Sequence, residues 1–188
     1  MVVGTRQCSI PMQIMTGTFG LTLNTLIQVT VSAINNKGIG PASAILTSGA
    51  LIRTAPTLMT NPVRGSSTNE QQIQVTWANI TGIETGESPI TAYDLWWDNG
   101  LGTPDYDLTS GLINSYTVSG LVADSNYIFT LRAKNIYGYG PFSSSITIRT
   151  STVPHAMSPI TTTQNGTTII VAWTAPPDGG EVIDGYEI

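Results

Sequence analysis

Charge and reactive side chains are scarce in this chain. Only 10% of its 188 residues are charged, against about 25% in an average globular domain. The seven cations (Arg6, Lys37, Arg53, Arg64, Arg132, Lys134 and Arg149) are scattered singly, and the net charge is −5. Too few positive groups are available to neutralise phosphates, which argues against nucleic acid or an anionic membrane as partner. His155 is the single histidine and lies beside Pro154 with no paired nucleophile motif. No G-x-S-x-G, H-E-x-x-H or phosphate-cradling glycine loop occurs, so catalysis within this segment is not expected, nor is a cofactor. With Cys8 alone, neither an intrachain disulfide nor a cysteine metal cluster can form; Cys8 is expected to be interior, the alternative in an extracellular protein being a pairing with another chain. Apolar runs stay well short of the ~18 residues of a membrane span, so no direct membrane insertion is expected in this segment. Residues 1–21 lack a basic start followed by an apolar block, so they do not read as a signal peptide.

What the chain has instead is alternation. Tyr127, Phe129, Leu131 and Ala133 share one face of a strand, with Ile128, Thr130, Arg132 and Lys134 on the other. Asn135, Gly138, Gly140 and Pro141 then stack turn formers ahead of a second β-rich run over 143–150, which reads as a hairpin. One hundred positions earlier the pattern recurs. Ile27, Val29, Val31 and Ala33 alternate, and Asn35, Gly38, Gly40, Pro41 and Ser43 repeat Asn135, Gly138, Gly140, Pro141 and Ser143. The same punctuation at a fixed offset marks an internal repeat.

A second echo joins the middle of the chain to its end. Ile73, Val75 and Trp77 return as Ile169, Val171 and Trp173, and Ile90, Tyr93 and Leu95 return as Ile183, Tyr186 and Ile188. Three segments follow, with boundaries at Thr54-Ala55-Pro56 and Val153-Pro154: residues 1–54, 55–152 and 153–188. Strands are expected near 26–34 and 43–53 in the first and over 183–188 in the third, while 98–110 reads as turns. Seven short strands in the middle segment, without helical periodicity, predict a two-sheet sandwich.

These residues resemble the fibronectin type III domain. The resemblance rests on the strand tryptophans Trp77 and Trp173, the I-x-x-Y strands (Ile90/Tyr93, Ile183/Tyr186), Leu121 six residues before Tyr127, and the A-x-N-x-x-G-x-G-P-x-S hairpins at 133–143 and 33–43. It implies an all-β fold of tandem seven-stranded immunoglobulin-like β-sandwiches, with one complete domain flanked by two partial ones. Trp77, Trp173, Tyr93, Leu121, Tyr127 and Phe129 would be structural, and Tyr127 would act as a tyrosine corner whose hydroxyl meets backbone near Leu121. The first segment places Ile27 where that tyrosine would stand. It carries the later strands of a domain and the third carries the earlier ones. A window on a longer tandem array accounts for this most simply; complementation of half-domains between successive chains is the alternative.

Candidate sites are few. Alternation sends Trp96 outward with Asp94 and Asp98, beside Arg132 and Ile128 on the neighbouring strand. Two readings stand: a cross-strand cover in which Arg132 stacks on the indole, or a contact with another protein through Trp96, Asp94, Arg132 and Ile128. Asp98, Asn99, Asp105 and Asp107 gather oxygen ligands that calcium could use, although turns attract Asp and Asn anyway. Asn79-Ile80-Thr81 and Asn165-Gly166-Thr167 are glycosylation sequons.

The resemblance implies binding and spacing. The leading expectation is a non-catalytic spacer of an extracellular or cell-surface rod, filament or coat, with neighbouring domains and other copies as partners. A ligand-binding ectodomain, an accessory domain of a secreted enzyme and an intracellular cytoskeletal array are the alternatives.

Overall fold

The computed structural model describes residues 7–188; the first six positions of segment 1–54 lie outside the described residues. Two compact units divide the chain: one takes the described residues up to Leu58 together with Ile80–Thr91 and Ala133–Pro141, the other Met59–Asn79, Ala92–Arg132 and Phe142–Ile188.

Two sheets lie mainly within the second unit, with residues 90–91 and 133–135 of their strands in the first. β3 (Val63–Arg64), β4 (Gln72–Thr76) and β7 (Ser115–Ser119) form one, with β4 central. β10 (Ile146–Arg149), β8 (Asn126–Asn135), β5 (Ile90–Trp97) and β6 (Tyr106–Gly111) form the other, in that order. These seven antiparallel strands make the sandwich expected from the middle segment. The period of two has its predicted consequence: Ile73, Val75 and Trp77 from one sheet and Tyr93, Leu95, Phe129 and Leu131 from the other are buried. Trp77 meets Tyr93 edge-on, ring centroids 6.5 Å apart, which couples the sheets through two large apolar bodies. Trp97 stacks on Tyr127 at 5.9 Å on the same inner face.

The Tyr127 hydroxyl accepts a hydrogen bond from the Val122 N–H at 3.1 Å. That bond ties the loop leaving β7 to the strand it enters. Tyr127→Phe is therefore expected to cost about 1–2 kcal/mol, read as a shifted urea midpoint at constant slope. A midpoint within error of the parent would show that the bond does not hold the crossover.

The strand β6 was not foreseen, because Asn99-Gly100, Gly102 and Pro104 dominate the sequence just before it. Its pairing with β5 skips a residue between Leu95 and Trp96, so Leu108 forms a bulge. Such an interruption weakens the alternation by which an edge strand is recognised.

In the first unit, β1 (Ser32–Asn35) and β2 (Gly38–Ala42) form a short hairpin, and Leu26 bridges Leu51. A single helical turn spans Ile14–Thr18. The expected strand over 26–34 is thus reduced to its end from Ser32, and that over 43–53 to the single bridge at Leu51. Val29, Val31, Ile34 and Ile39 are exposed, and a ladder that buries no apolar face has little to extend it. The same unit contains the end of β8, where Lys134 pairs Tyr139 of the two-residue strand β9 (Gly138–Tyr139).

The repeated hairpin motif has a physical basis at each position. Asn35 and Asn135 accept from the N–H two residues on, that of Lys37 and of Tyr137, both at 2.8 Å. Gly38 and Gly138 follow at φ +142° and +130°, a region that L side chains rarely occupy. Ser43 and Ser143 exchange backbone and side-chain bonds with Val31 and Leu131 respectively.

The third segment forms a hairpin of β11 (Thr161–Asn165) and β12 (Thr168–Ala172), with no strand over 183–188. Trp173, expected in a core, is 36% exposed and packs against Tyr186 at 5.3 Å. Trp77 is covered by an opposing sheet, whereas the residues after Ala172 form none. Cys8 likewise lies exposed, contrary to the interior position expected of it, in irregular chain ahead of the helical turn where no sheet covers it.

Candidate interaction face

The outer face of β5 and β8 brings the predicted residues together. Arg132 donates from Nε to Asp94 Oδ2 at 2.6 Å, and the Trp96 indole N–H reaches the same oxygen at 3.1 Å. The Arg132 guanidinium lies 4.2 Å from the Phe142 ring centroid and 5.5 Å from that of Trp96. The two rings meet edge to face at 5.4 Å. A planar cation packed against two adjoining aromatic rings with its Nε on a carboxylate uses both the charge and the flat faces of arginine. Ile128 is half-buried on the same strand as Arg132.

Two expectations change here. Asp94 points to the outer face but is only 2% exposed, because Arg132 and Trp96 cover it. Asp98, expected to point outward and considered as a calcium ligand, is also 2% exposed. Its carboxylate accepts from the N–H groups of Gly100, Gly102 and Ile128, at 3.1, 3.0 and 3.0 Å. It is the anchor of its own turn. Asp105 and Asp107 are exposed, and no acid, cysteine or histidine group with metal-holding geometry occurs among the described residues.

Phe142 was not singled out from sequence. Its place follows from pairing: Ser143 pairs with Leu131, which sets the preceding residue beside Arg132. In the first repeat the matching positions are Ser32 and Ala42. The cluster is therefore a feature of the complete sandwich and not a requirement of the hairpin.

An open cleft of about 630 Å³ lies at one end of the sandwich, lined by Trp97, Asn99, Val118, Leu121, Asn126 and Tyr127 among others. No acid or base lines it. Asn79 and Asn165 are both exposed, Asn79 between β4 and β5 and Asn165 at the β11–β12 turn.

The sequence profile of the fibronectin type III domain matches residues 55–149, about half of the chain. The chain belongs to the fibronectin type III family. Human contactin-3 is 27% identical over 168 residues, covering 86% of this chain and 16% of that protein. Exoglucanase B of Cellulomonas fimi is 27% identical over 184 residues, covering 90% of this chain and 16% of the enzyme. The chain thus spans about one sixth of the length of these curated relatives. The solution structure of the sixth fibronectin type III domain of human fibronectin type III domain containing protein 3 is 24% identical. It covers 58% of this chain and 98% of that domain at a TM-score of 0.45. No helix among the described residues is long and apolar enough to cross a membrane.

Proposed function

We propose that this chain is a non-catalytic interaction module of a cell-surface or secreted multidomain protein, with segments 1–54, 55–152 and 153–188 as successive domains. The alignment with contactin-3, which runs across 86% of the chain and so beyond the complete sandwich, carries this reading. The finer role is that of a spacer holding neighbouring domains in line, with other copies of the protein as partners. An antibody to the complete sandwich should label intact, unpermeabilised source cells or their medium, on a polypeptide far larger than 20 kDa. Label found only after permeabilisation would overturn the location, and a band near 20 kDa would overturn the multidomain reading.

Contact with a partner is assigned to the face around Trp96, Arg132 and Ile128, with Asp94 fixing it from beneath. Trp96 and Phe142 are half-buried and present ring edges beside a cation, the residue types that dominate interface centres. Beads coated with the chain are expected to cluster, and beads carrying Trp96→Ala to stay dispersed. Equal clustering would leave this face as a cover for Asp94 alone. Exposed Asn79 and Asn165 are the acceptors expected to carry glycan if the protein passes a glycosylating secretory route.

A further inference from the structure

The boundary segments 53–57 and 152–155, which enter the second and third domains, are each paired to the loop that precedes the I-x-x-Y positions of the domain they enter. At the first junction the Thr54 N–H donates to Gly86 O at 3.1 Å and the Thr57 N–H to Glu84 O at 2.8 Å. At the second, the Thr152 N–H donates to Gly179 O at 2.8 Å and the His155 N–H to Pro177 O at 3.0 Å. The correspondence is residue for residue: Thr54, Pro56 and Thr57 match Thr152, Pro154 and His155, and Glu84 and Gly86 match Pro177 and Gly179.

Both loop glycines are buried and left-handed, at φ +69° and +71°. A Cβ on Gly86 would stand 2.1 Å from Thr54 O, and one on Gly179 would stand 2.4 Å from Thr152 O. Only glycine combines that backbone with so close an approach.

The first junction is closed from further sides. The Asn135 amide donates to Thr54 O at 2.7 Å and to Thr85 O at 2.8 Å, joining linker and loop through one side chain. Gly140 lies against the linker, with a Cβ there only 2.7 Å from Pro56 O. Arg53 donates to Glu87 O and pairs with the Glu87 carboxylate at 3.5 Å. The hairpin glycine and asparagine that mark the repeat are thus the residues that grip the incoming chain.

We propose that the Thr-x-Pro segment at each junction is a bound ligand of the domain it enters, seated against a buried loop glycine, rather than a flexible connection. The partner class is specific: an extended segment offering a threonine carbonyl and N–H, followed by proline. Asn35 and Gly40 repeat Asn135 and Gly140, so the β1–β2 hairpin carries half of the same seat.

Limited trypsinolysis of the whole chain tests this, because Arg53 precedes Thr54. Cleavage tracks transient opening of the seat. Lys37, exposed in the β1–β2 turn, serves as the internal reference. Asn135→Ala is expected to raise cleavage after Arg53, relative to that after Lys37, by about tenfold or more through loss of two hydrogen bonds. Gly140→Ala should act in the same direction by pressing on Pro56. In the unaltered protein, the Thr54, Thr57, Thr152 and His155 amides should exchange hydrogen slowly. Free-peptide exchange rates at these amides, or an unchanged Arg53 cleavage ratio in both folded variants, would overturn the proposal. A mobile linker would remove the seat and leave the multidomain reading standing, so the two fail separately.

Discussion

Trp77→Ala is expected to remove about 3–5 kcal/mol of unfolding free energy, a large share of the ~5–15 kcal/mol of a whole domain. Trp77 is 5% exposed and meets Tyr93 edge-on across the sandwich. Ile73 and Val75 beside it are fully buried and cannot move to fill the space. Trp77→Phe should cost much less than the alanine change. The indole N–H is buried and meets no acceptor among the described residues, so phenylalanine removes an unsatisfied donor along with some area. Urea denaturation followed by near-ultraviolet circular dichroism measures both. A loss under about 1 kcal/mol for Trp77→Ala, where buried aromatic truncations ordinarily cost several, would contradict the packing described here.

Arg132→Ala is expected to cost about 2–3 kcal/mol. It leaves the Asp94 carboxylate, with a side chain 3% exposed, holding the Trp96 indole N–H alone among the described residues. Removing one partner of a fully buried pair costs about 3–5 kcal/mol; the 22% exposure of the Arg132 side chain lowers the figure here. The loss of its contacts with Phe142 and Trp96 acts in the same direction. Lysine should not rescue the site, because a single ammonium cannot lie flat against both rings while reaching the carboxylate. The double variant Asp94→Ala/Arg132→Ala should be more stable than Arg132→Ala alone, since it removes the stranded charge. Strictly additive single and double costs would mean that the two groups do not act as a unit.

Much of the architecture was legible because a strand's side chains alternate with a period of two and turns demand particular residues. Ile90–Trp97, for instance, is bounded in sequence as it is in the structure. The repeat of Asn135, Gly138, Gly140, Pro141 and Ser143 at Asn35–Ser43 marked a hairpin, and the hairpin's bonds and backbone account for its Asn, its first Gly and its Ser. Where no second sheet stands opposite, the same residues failed as predictors. Trp173 and the 27–33 alternation carry the signature of a core and yet are exposed or only half-buried. Periodicity states which residues share a face; burial requires something to cover it.

The candidate face divides in the same way. That Trp96 and Arg132 stand on neighbouring outer positions follows from alternation along two strands. That Asp94 lies beneath them and that Phe142 packs on the cation beside Trp96 depends on strand pairing and on the turn from β8 into β10. Likewise, Thr54, Gly86, Asn135 and Gly140 are ordinary turn and linker residues when read along the chain. Only folding brings positions more than eighty residues apart within hydrogen-bond distance. Sequence by itself determined a sandwich, its repeats and its family, because each is written in short-range pattern. Tertiary structure decided which apolar faces are covered, which carboxylates are buried and which linkers are held, because each depends on what the chain places opposite.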